Sequence, residues 1–288
     1  QTLPIGNEGA GTVVATGDSD AAKALMGKTV GLISGATYAT YCCVPVQACI
    51  AHHEGTTAKQ AASSFVNPLT ALGMVDTMRM EGHSALVHTA AASSLGQMLN
   101  KICLAEDVPL VNIVRKAEQQ EILRSQGAKI VLNSSDESFR QDLYKAIEET
   151  GATLGFDAIG GGELVSDILT AMERVGSKDA KGLNTYGSPE HKQVYLYGSL
   201  DISPTILNRA YGMSWGIGGW LLMRFLSKVE PARVMALHKR VADEINTTFA
   251  NHFTAELSLE QALQPENVAR YNAKKTGEKY LINPSLDA

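Results

Sequence analysis

The sequence predicts an α/β protein whose larger part is a doubly wound parallel sheet. Three observations predict it. From Ala85 onward short apolar runs alternate with amphipathic helical stretches; the run Ala85–His88 breaks into a turn of small residues ending at Gly96; and the next apolar run, Pro109–Val114, stops at the cations Arg115 and Lys116. Repeated strand–helix alternation argues for parallel strands covered by helices on both faces.

The first sixty residues read differently. Glycines there separate β-rich pieces at Gly11–Gly17, Gly27–Ile33 and Tyr38–Pro45, the pattern of a small, mostly antiparallel unit. That stretch is too short to close such a unit alone, so strands are expected from elsewhere in the chain or from residues upstream. Helical patterning then runs from Thr57 to Met80 around Pro68.

The central turn is Thr89-Ala90-Ala91-Ala92-Ser93-Ser94-Leu95-Gly96. After it, Leu95, Met98, Leu99, Ile102 and Cys103 recur at helical spacing and give one buried face. Small side chains between a strand and a helix let the backbone approach a pyrophosphate, which the helix N-terminus attracts. Ser93, Ser94, Leu95 and Gly96 are therefore candidate pyrophosphate contacts through backbone amides. About 20 residues beyond such a turn a dinucleotide fold places its ribose selector. An acidic residue there would bind the ribose hydroxyls of NAD; Arg115 and Lys116 instead suit a 2′-phosphate, which points to NADPH. The alternative is a solvated basic start to the helix 118–126.

The elements that follow are a strand at Lys129–Leu132, a helix over 138–149, a strand at Gly155–Ile159 ending in Gly160-Gly161-Gly162, a helix over 163–174 and a strand at Val194–Tyr197. Between the last two, the polar stretch Ser177–Lys192 reads as a long loop. Ligands in such sheets bind beyond the carboxyl ends of the strands, so Gly160, Gly198 and Ser199 are expected to line the cofactor cleft. Asp201–Pro204 reads as another turn. The longest apolar run, Trp215–Leu226, contains Arg224 and falls short of the ~20 residues that span a bilayer, so a buried or interface helix is expected. A long helix from Pro231 to about Phe249 and a terminal turn and strand, Gly277–Pro284, complete the chain.

Composition bounds the function. The chain has 288 residues, 44% hydrophobic and 19% charged, as in ordinary folded proteins. A net charge of −5 without a Lys/Arg cluster argues against nucleic-acid partners and anionic membranes. Four cysteines, Cys42, Cys43, Cys49 and Cys103, lack metal-ligand spacing and fit a reduced, cytoplasmic protein. Gln1 opens the chain without a signal-peptide pattern.

Five segments in order resemble the medium-chain dehydrogenase/reductase superfamily. Gly6-Asn7-Glu8-Gly9-Ala10-Gly11 is similar to its Gly-His-Glu segment, and Gly27-Lys28-Thr29-Val30 to the following Gly-Asp-x-Val turn. Asn67-Pro68-Leu69-Thr70-Ala71 resembles the Asn-Pro-x-Thr-Ala of the enoyl thioester reductase branch. The turn ending at Leu95-Gly96-Gln97 with Val114-Arg115 resembles the same branch, and Gly277–Pro284 resembles the family's closing Gly-Lys-x-Val-Leu-x-Pro. The resemblance implies a Rossmann doubly wound parallel sheet plus a partial GroES-like β-rich catalytic domain. It divides the chain into 1–60 (catalytic), 61–226 (Rossmann) and 227–288 (return to the catalytic domain). It places Asn67 and Thr70 near the nicotinamide, with capping and turn formation around Pro68 as the alternative, and it implies a homodimer.

Departures from the family pattern narrow the chemistry. Asn7 stands where zinc-dependent members carry a metal-binding histidine, and amide is a poor zinc ligand. The four-cysteine structural lobe has no counterpart, and His52-His53 reads as a loop pair, so no metal is expected. The family's catalytic-domain segment upstream of Gly6, which in the enoyl reductase branch holds the proposed proton-donor tyrosine, has almost no counterpart here. The catalytic residues are therefore unknown from sequence, and Tyr186, Tyr195 and Tyr197 read as packing or loop aromatics. Without a Lewis acid, hydride transfer favours conjugated acceptors that spread the developing charge. The expectation is an NADPH-dependent, quinone oxidoreductase-like enzyme acting on a quinone or enone. The alternatives are a 2-enoyl thioester reductase and an NADPH-binding sensor or structural protein without turnover.

Overall fold

A computed structural model of the chain describes residues 4–182, 185–273 and 275–287. The chain divides into two compact units, one formed by Gln1–Thr70 with Val229–Ala288, the other by Ala71–Lys228.

In the first unit, β1 (Glu8–Thr12), β2 (Thr29–Ile33) and β3 (Cys49–Ala51) form an antiparallel sheet in that order. The strand expected over Tyr38–Pro45 does not form. Thr37 and Tyr38 donate their N–H groups back to Gly6 and Ile5, and beyond them the segment runs as exposed coil to Pro45, with Cys42 and Cys43 exposed. Pro45 then begins a turn into β3.

The second unit holds β4 (Leu86–His88), β5 (Leu110–Val114), β6 (Ile130–Asn133), β7 (Leu154–Asp157), β8 (Gly160–Gly162), β9 (Lys192–Leu196), β10 (Asp201–Thr205) and β11 (Trp215–Gly219). Six of these make one sheet in the order β11-β9-β7-β4-β5-β6, every pair parallel. The first strand of the unit, β4, lies centrally and the chain winds outward in both directions, so the sheet reverses between β4 and β7.

Helices Phe139–Thr150 and Leu164–Gly176 cover one face, burying Leu143, Ile147, Ile168, Leu169 and Met172 against Val87, Val111, Ile113 and Val194. Each such aliphatic side chain contributes about 1.5–3 kcal/mol relative to exposure. On helix Ser94–Ala105 all five apolar residues read from the spacing are buried.

Three sequence expectations are corrected here. The strand expected over Gly155–Ile159 spans Leu154–Asp157, and Gly160–Gly162, read as its end, is a separate strand, β8, paired in parallel with β10. Asp201–Pro204, read as a turn, is most of β10; Pro204 fits because this two-stranded ladder is irregular between Asp201 and Thr205. The apolar run Trp215–Leu226 is not one helix: Trp215–Gly219 is the edge strand β11 and only Leu222–Leu226 is helical, since glycines at 216, 218 and 219 disfavour a helix. In the loop Ser177–Lys192, Leu183 and Asn184 lie outside the described residues, and Lys192 already belongs to β9.

Back in the first unit, helix Pro231–Asp243 packs on β3 and ends six residues earlier than the sequence pattern suggests, where Asn246, Thr247 and Thr248 disfavour its continuation. β12 (Ala255–Leu257) pairs in parallel with β13 (Tyr280–Ile282). Two helices between them, Leu259–Ala262 and Pro265–Asn272, were not read from sequence.

Candidate functional site

The turn after β4 is built for close approach. Ala90 takes a left-handed φ of 50°, Ala91 and Ala92 are buried, and Ser93 caps helix Ser94–Ala105 by accepting the Gly96 N–H at 3.1 Å. A Cβ on Gly96 would lie 2.2 Å from the Ala91 carbonyl oxygen, so only glycine lets the helix sit this close to the strand turn. The chain thus keeps a glycine for helix–strand contact while alanines and serines take the other small positions. A helix start presents its first-turn amides and the positive end of the dipole, here at Ser94 and Leu95.

At the end of β5, Arg115 and Lys116 are exposed, and neither forms an ion pair among the described residues. The backbone between them is held in place: Arg115 donates its N–H to Gln119 Oε1 at 3.0 Å, and Ser135 Oγ donates to the Arg115 carbonyl at 3.0 Å.

Where the sheet reverses, Asp157 ties β4 to β7. Its carboxylate is buried and accepts from Thr89 Oγ1 at 2.6 Å, from the Ile159 N–H at 3.2 Å and from the Gly160 N–H at 2.7 Å. Thr89 Oγ1 in turn accepts the Ala158 N–H at 2.9 Å. The knot lies at the carboxyl ends of the two strands. Sequence reading placed Asp157 only as a strand residue; an acidic residue closing an apolar strand was the available signal.

Beside the knot, a cleft of about 620 Å³ opens at the ends of β9 and β11 and along β8 and β10. Gly160, Gly198 and Ser199, expected to line one cleft, come together in it, with Tyr197, Asp201 and Trp220. Its floor is bare backbone: a Cβ on Gly198 would meet the Ala158 carbonyl at 2.9 Å, and Gly160 holds φ +87°. Asp201 is the one charged side chain in the lining. The backbone N–H and hydroxyl of Ser203 hold its carboxyl below the usual range, the N–H at 2.8 Å.

Asn67 and Thr70 belong to the first unit, on the opening turns of helix Val66–Met80. Neither is needed to cap that helix. Glu8, from β1, does so: its Oε2 accepts the N–H groups of Val66 at 2.8 Å and Phe65 at 3.2 Å. Burial pushes the Glu8 carboxyl up, partly offset by the Val66 N–H and the Lys279 charge. His52 turns to Ser64 Oγ at 2.9 Å, and burial with the neighbouring His53 pushes it down to about 4. His53 pairs with Asp243 at 2.7 Å. Among the described residues no group of three or more His, Cys, Asp or Glu side chains is placed to hold a metal ion.

No protein-family model matches the chain. Among solved structures its fold is shared by NADPH:quinone reductases and enoyl thioester reductases, which makes it the medium-chain dehydrogenase/reductase fold that the five sequence segments implied. A Mesorhizobium loti protein assigned as an NADPH:quinone reductase is 27% identical, with 97% of this chain matched to 77% of that one at a TM-score of 0.80. A mycobacterial protein solved with NADPH is 19% identical, over 98% of this chain and 82% of that one, at 0.72. The mitochondrial 2-enoyl thioester reductase heterodimer of Candida tropicalis is 18% identical, over 98% and 80%, at 0.69. The last two likenesses are ones of fold.

Proposed function

We propose that this chain is an NADPH-dependent, zinc-independent oxidoreductase of the quinone reductase kind, moving a hydride to a conjugated carbonyl acceptor. The observation that carries it is the 620 Å³ cleft at the carboxyl ends of the parallel strands, floored by glycine backbone and lined without a single Lys, Arg or His. An acyl thioester carried on a phosphate-bearing group calls for cations at the mouth of its groove; an uncharged quinone or enone does not. That difference supports the quinone-like reading over the 2-enoyl thioester reductase that Asn67–Ala71 resembles.

The residues fit a nicotinamide nucleotide. Gly160 and Gly198 bring main chain without side chains to the cleft, Gly198 packed on the Ala158 backbone and Gly160 at a left-handed φ, and the helix start at Ser94–Leu95 offers amides to a pyrophosphate. Arg115 and Lys116 would hold a 2′-phosphate, and Ser199 would border the nicotinamide half. Asn67 and Thr70 are assigned to the nicotinamide by resemblance. When bound, NADPH supplies the hydride; the protein aligns the acceptor and excludes water. Zinc independence is supported by the engagement of His52 with Ser64 and of His53 with Asp243. Exposed apolar Ile202 on β10 and Met213 just before the edge strand β11 support a homodimer, and free thiols support a cytoplasmic setting. No described helix is long and apolar enough to cross a membrane.

Fluorescence titration with NADPH and NADH, followed by turnover with a quinone, an enone and an enoyl thioester, tests the proposal. Tighter NADPH binding and turnover of the first two acceptors are expected. NADPH binding without turnover of any acceptor would point instead to a nucleotide sensor.

A further inference from the structure

Tyr197 follows β9 directly and lines the cleft beside Gly198 and Ser199. Its phenol oxygen lies 2.7 Å from His88 Nε2, at the end of β4, and the two rings stack at 5.7 Å and 18°. His88 is fully buried, and its other ring nitrogen, Nδ1, has no partner among the described residues.

The direction of this hydrogen bond follows from the unpartnered nitrogen. Burial pushes His88 down to about 3, so the ring is neutral and carries one N–H. With the proton on Nδ1, a donor would be buried with nothing to bond and its desolvation uncompensated. With the proton on Nε2, the N–H donates to Tyr197, and the bare Nδ1 is an acceptor, which tolerates isolation better than a donor does. Tyr197 therefore accepts from His88, and its own proton is not committed to the histidine.

Other hydroxyls do not match it. Tyr195 donates to Glu81 at 2.8 Å, and Thr205, also in the cleft lining, donates to the Gly160 carbonyl at 2.6 Å. Ser199 is an aliphatic alcohol, a far weaker acid than a phenol. Burial, then the charge of Asp157, pushes the Tyr197 phenol up, so it stays protonated at working pH.

We propose that Tyr197 is a catalytic residue of this cleft, giving its phenolic proton to the carbonyl oxygen of the conjugated acceptor, with His88 as the positioning residue that donates to the phenol oxygen. The assignment rests on the oxidoreductase reading above and departs from the sequence reading of Tyr197 as a packing aromatic. NADPH, when bound, would supply the hydride that forms a C–H bond on the acceptor, becoming NADP⁺, and the acceptor's π-electron pair would then reside on its carbonyl oxygen. The Tyr197 O–H bond breaks, a new O–H bond forms on the acceptor, and the phenolate is held by His88 Nε2–H until solvent returns a proton. The product is an enol: from an enone it tautomerises in water to the saturated ketone, and from a quinone the reduced ring carbon loses a proton to solvent while the second carbonyl oxygen gains one, giving the hydroquinone.

Two measurements test this. ¹⁵N-histidine NMR of the full chain without nucleotide should show His88 neutral and protonated on Nε2 from pH 5 to 9; protonation on Nδ1 would overturn the assignment. In turnover, Tyr197→Phe should lower kcat roughly 100-fold or more, the scale of one positioned acid, with NADPH affinity unchanged and the solvent deuterium isotope effect lost. His88→Gln, which retains a donor, should keep more of kcat than His88→Leu. Near-wild-type kcat in Tyr197→Phe with NADPH still bound would overturn this assignment alone. Absence of NADPH binding by the wild-type chain would overturn the proposed function and this step together.

Discussion

Lys192 donates to Glu173 at 2.6 Å with both side chains withdrawn from water, at the amino end of β9, the end opposite the cleft. The ammonium is fully satisfied, donating also to Ser188 Oγ at 2.9 Å and to the Glu190 carbonyl at 2.8 Å. Removing one partner of a buried pair leaves an uncompensated charge, at a cost of about 3–5 kcal/mol. Lys192→Met is expected to lose that much in urea unfolding, and Lys192→Met with Glu173→Leu to recover most of it. Burial alone raises the Glu173 carboxyl, but hydrogen bonds from Lys192, Ser177 and Ser188 outweigh it and bring it to about 2. The stabilisation is therefore complete above the ordinary value of 4.5 and lost as pH falls toward about 2. The double variant should lack this acid-sensitive component.

Gly96 tests the packing of the nucleotide turn. An alanine there meets main-chain atoms of Ala91 at 2.2 and 2.6 Å, which cannot move aside as a side chain can. Gly96→Ala is expected to destabilise by about 1–3 kcal/mol, the usual scale of overpacking, or more. Gly219→Ala, where a Cβ meets open space, should change the thermal midpoint little.

The basic end of β5 is expected to set nucleotide choice. Arg115→Ala with Lys116→Ala removes two charge-assisted contacts to a 2′-phosphate, about 1.5–3 kcal/mol each before screening. NADPH affinity should fall roughly 10- to 100-fold and NADH affinity hardly at all, with the difference shrinking at high salt. Equal losses for both nucleotides would remove the phosphate role from these cations.

His52 gives the first unit an acid limit. Its folded value of about 4 lies below the ordinary 6.5, so the unfolded chain binds the proton more readily. The contribution to stability is whole above about 6.5 and declines as pH falls toward 4. His52→Gln, which can still bond Ser64, should flatten the dependence of the urea midpoint across that window.

What the sequence revealed was local and periodic. Strand β4, its turn and helix Ser94–Ala105 were legible because the spacing of Leu95, Met98, Leu99, Ile102 and Cys103 and the small residues before them lie within one short stretch. β8 and β10 were not, because a run of three glycines and a Ser-Pro pair carry turn statistics, and only their mutual pairing makes them strands. The contacts that shape the candidate site join residues far apart in the chain. Glu8 and Val66 are 58 positions apart, Thr89 and Asp157 68, and His88 and Tyr197 109. No local pattern announces such pairs. Arg115 and Lys116 are proposed from sequence because a dinucleotide fold places its selector at a fixed distance past the turn, and the structure shows them exposed at the end of β5.

The peptide floor of the cleft has an evolutionary consequence. Where Gly160 and Gly198 offer no side chains, and where adding one would strain a left-handed backbone at Gly160 or collide with the Ala158 main chain at Gly198, divergence cannot retune acceptor preference from beneath. New selectivity has to arise on the walls, at positions such as Ile202, Trp220 and Leu221, while the surface under the nucleotide stays the same from one descendant to the next.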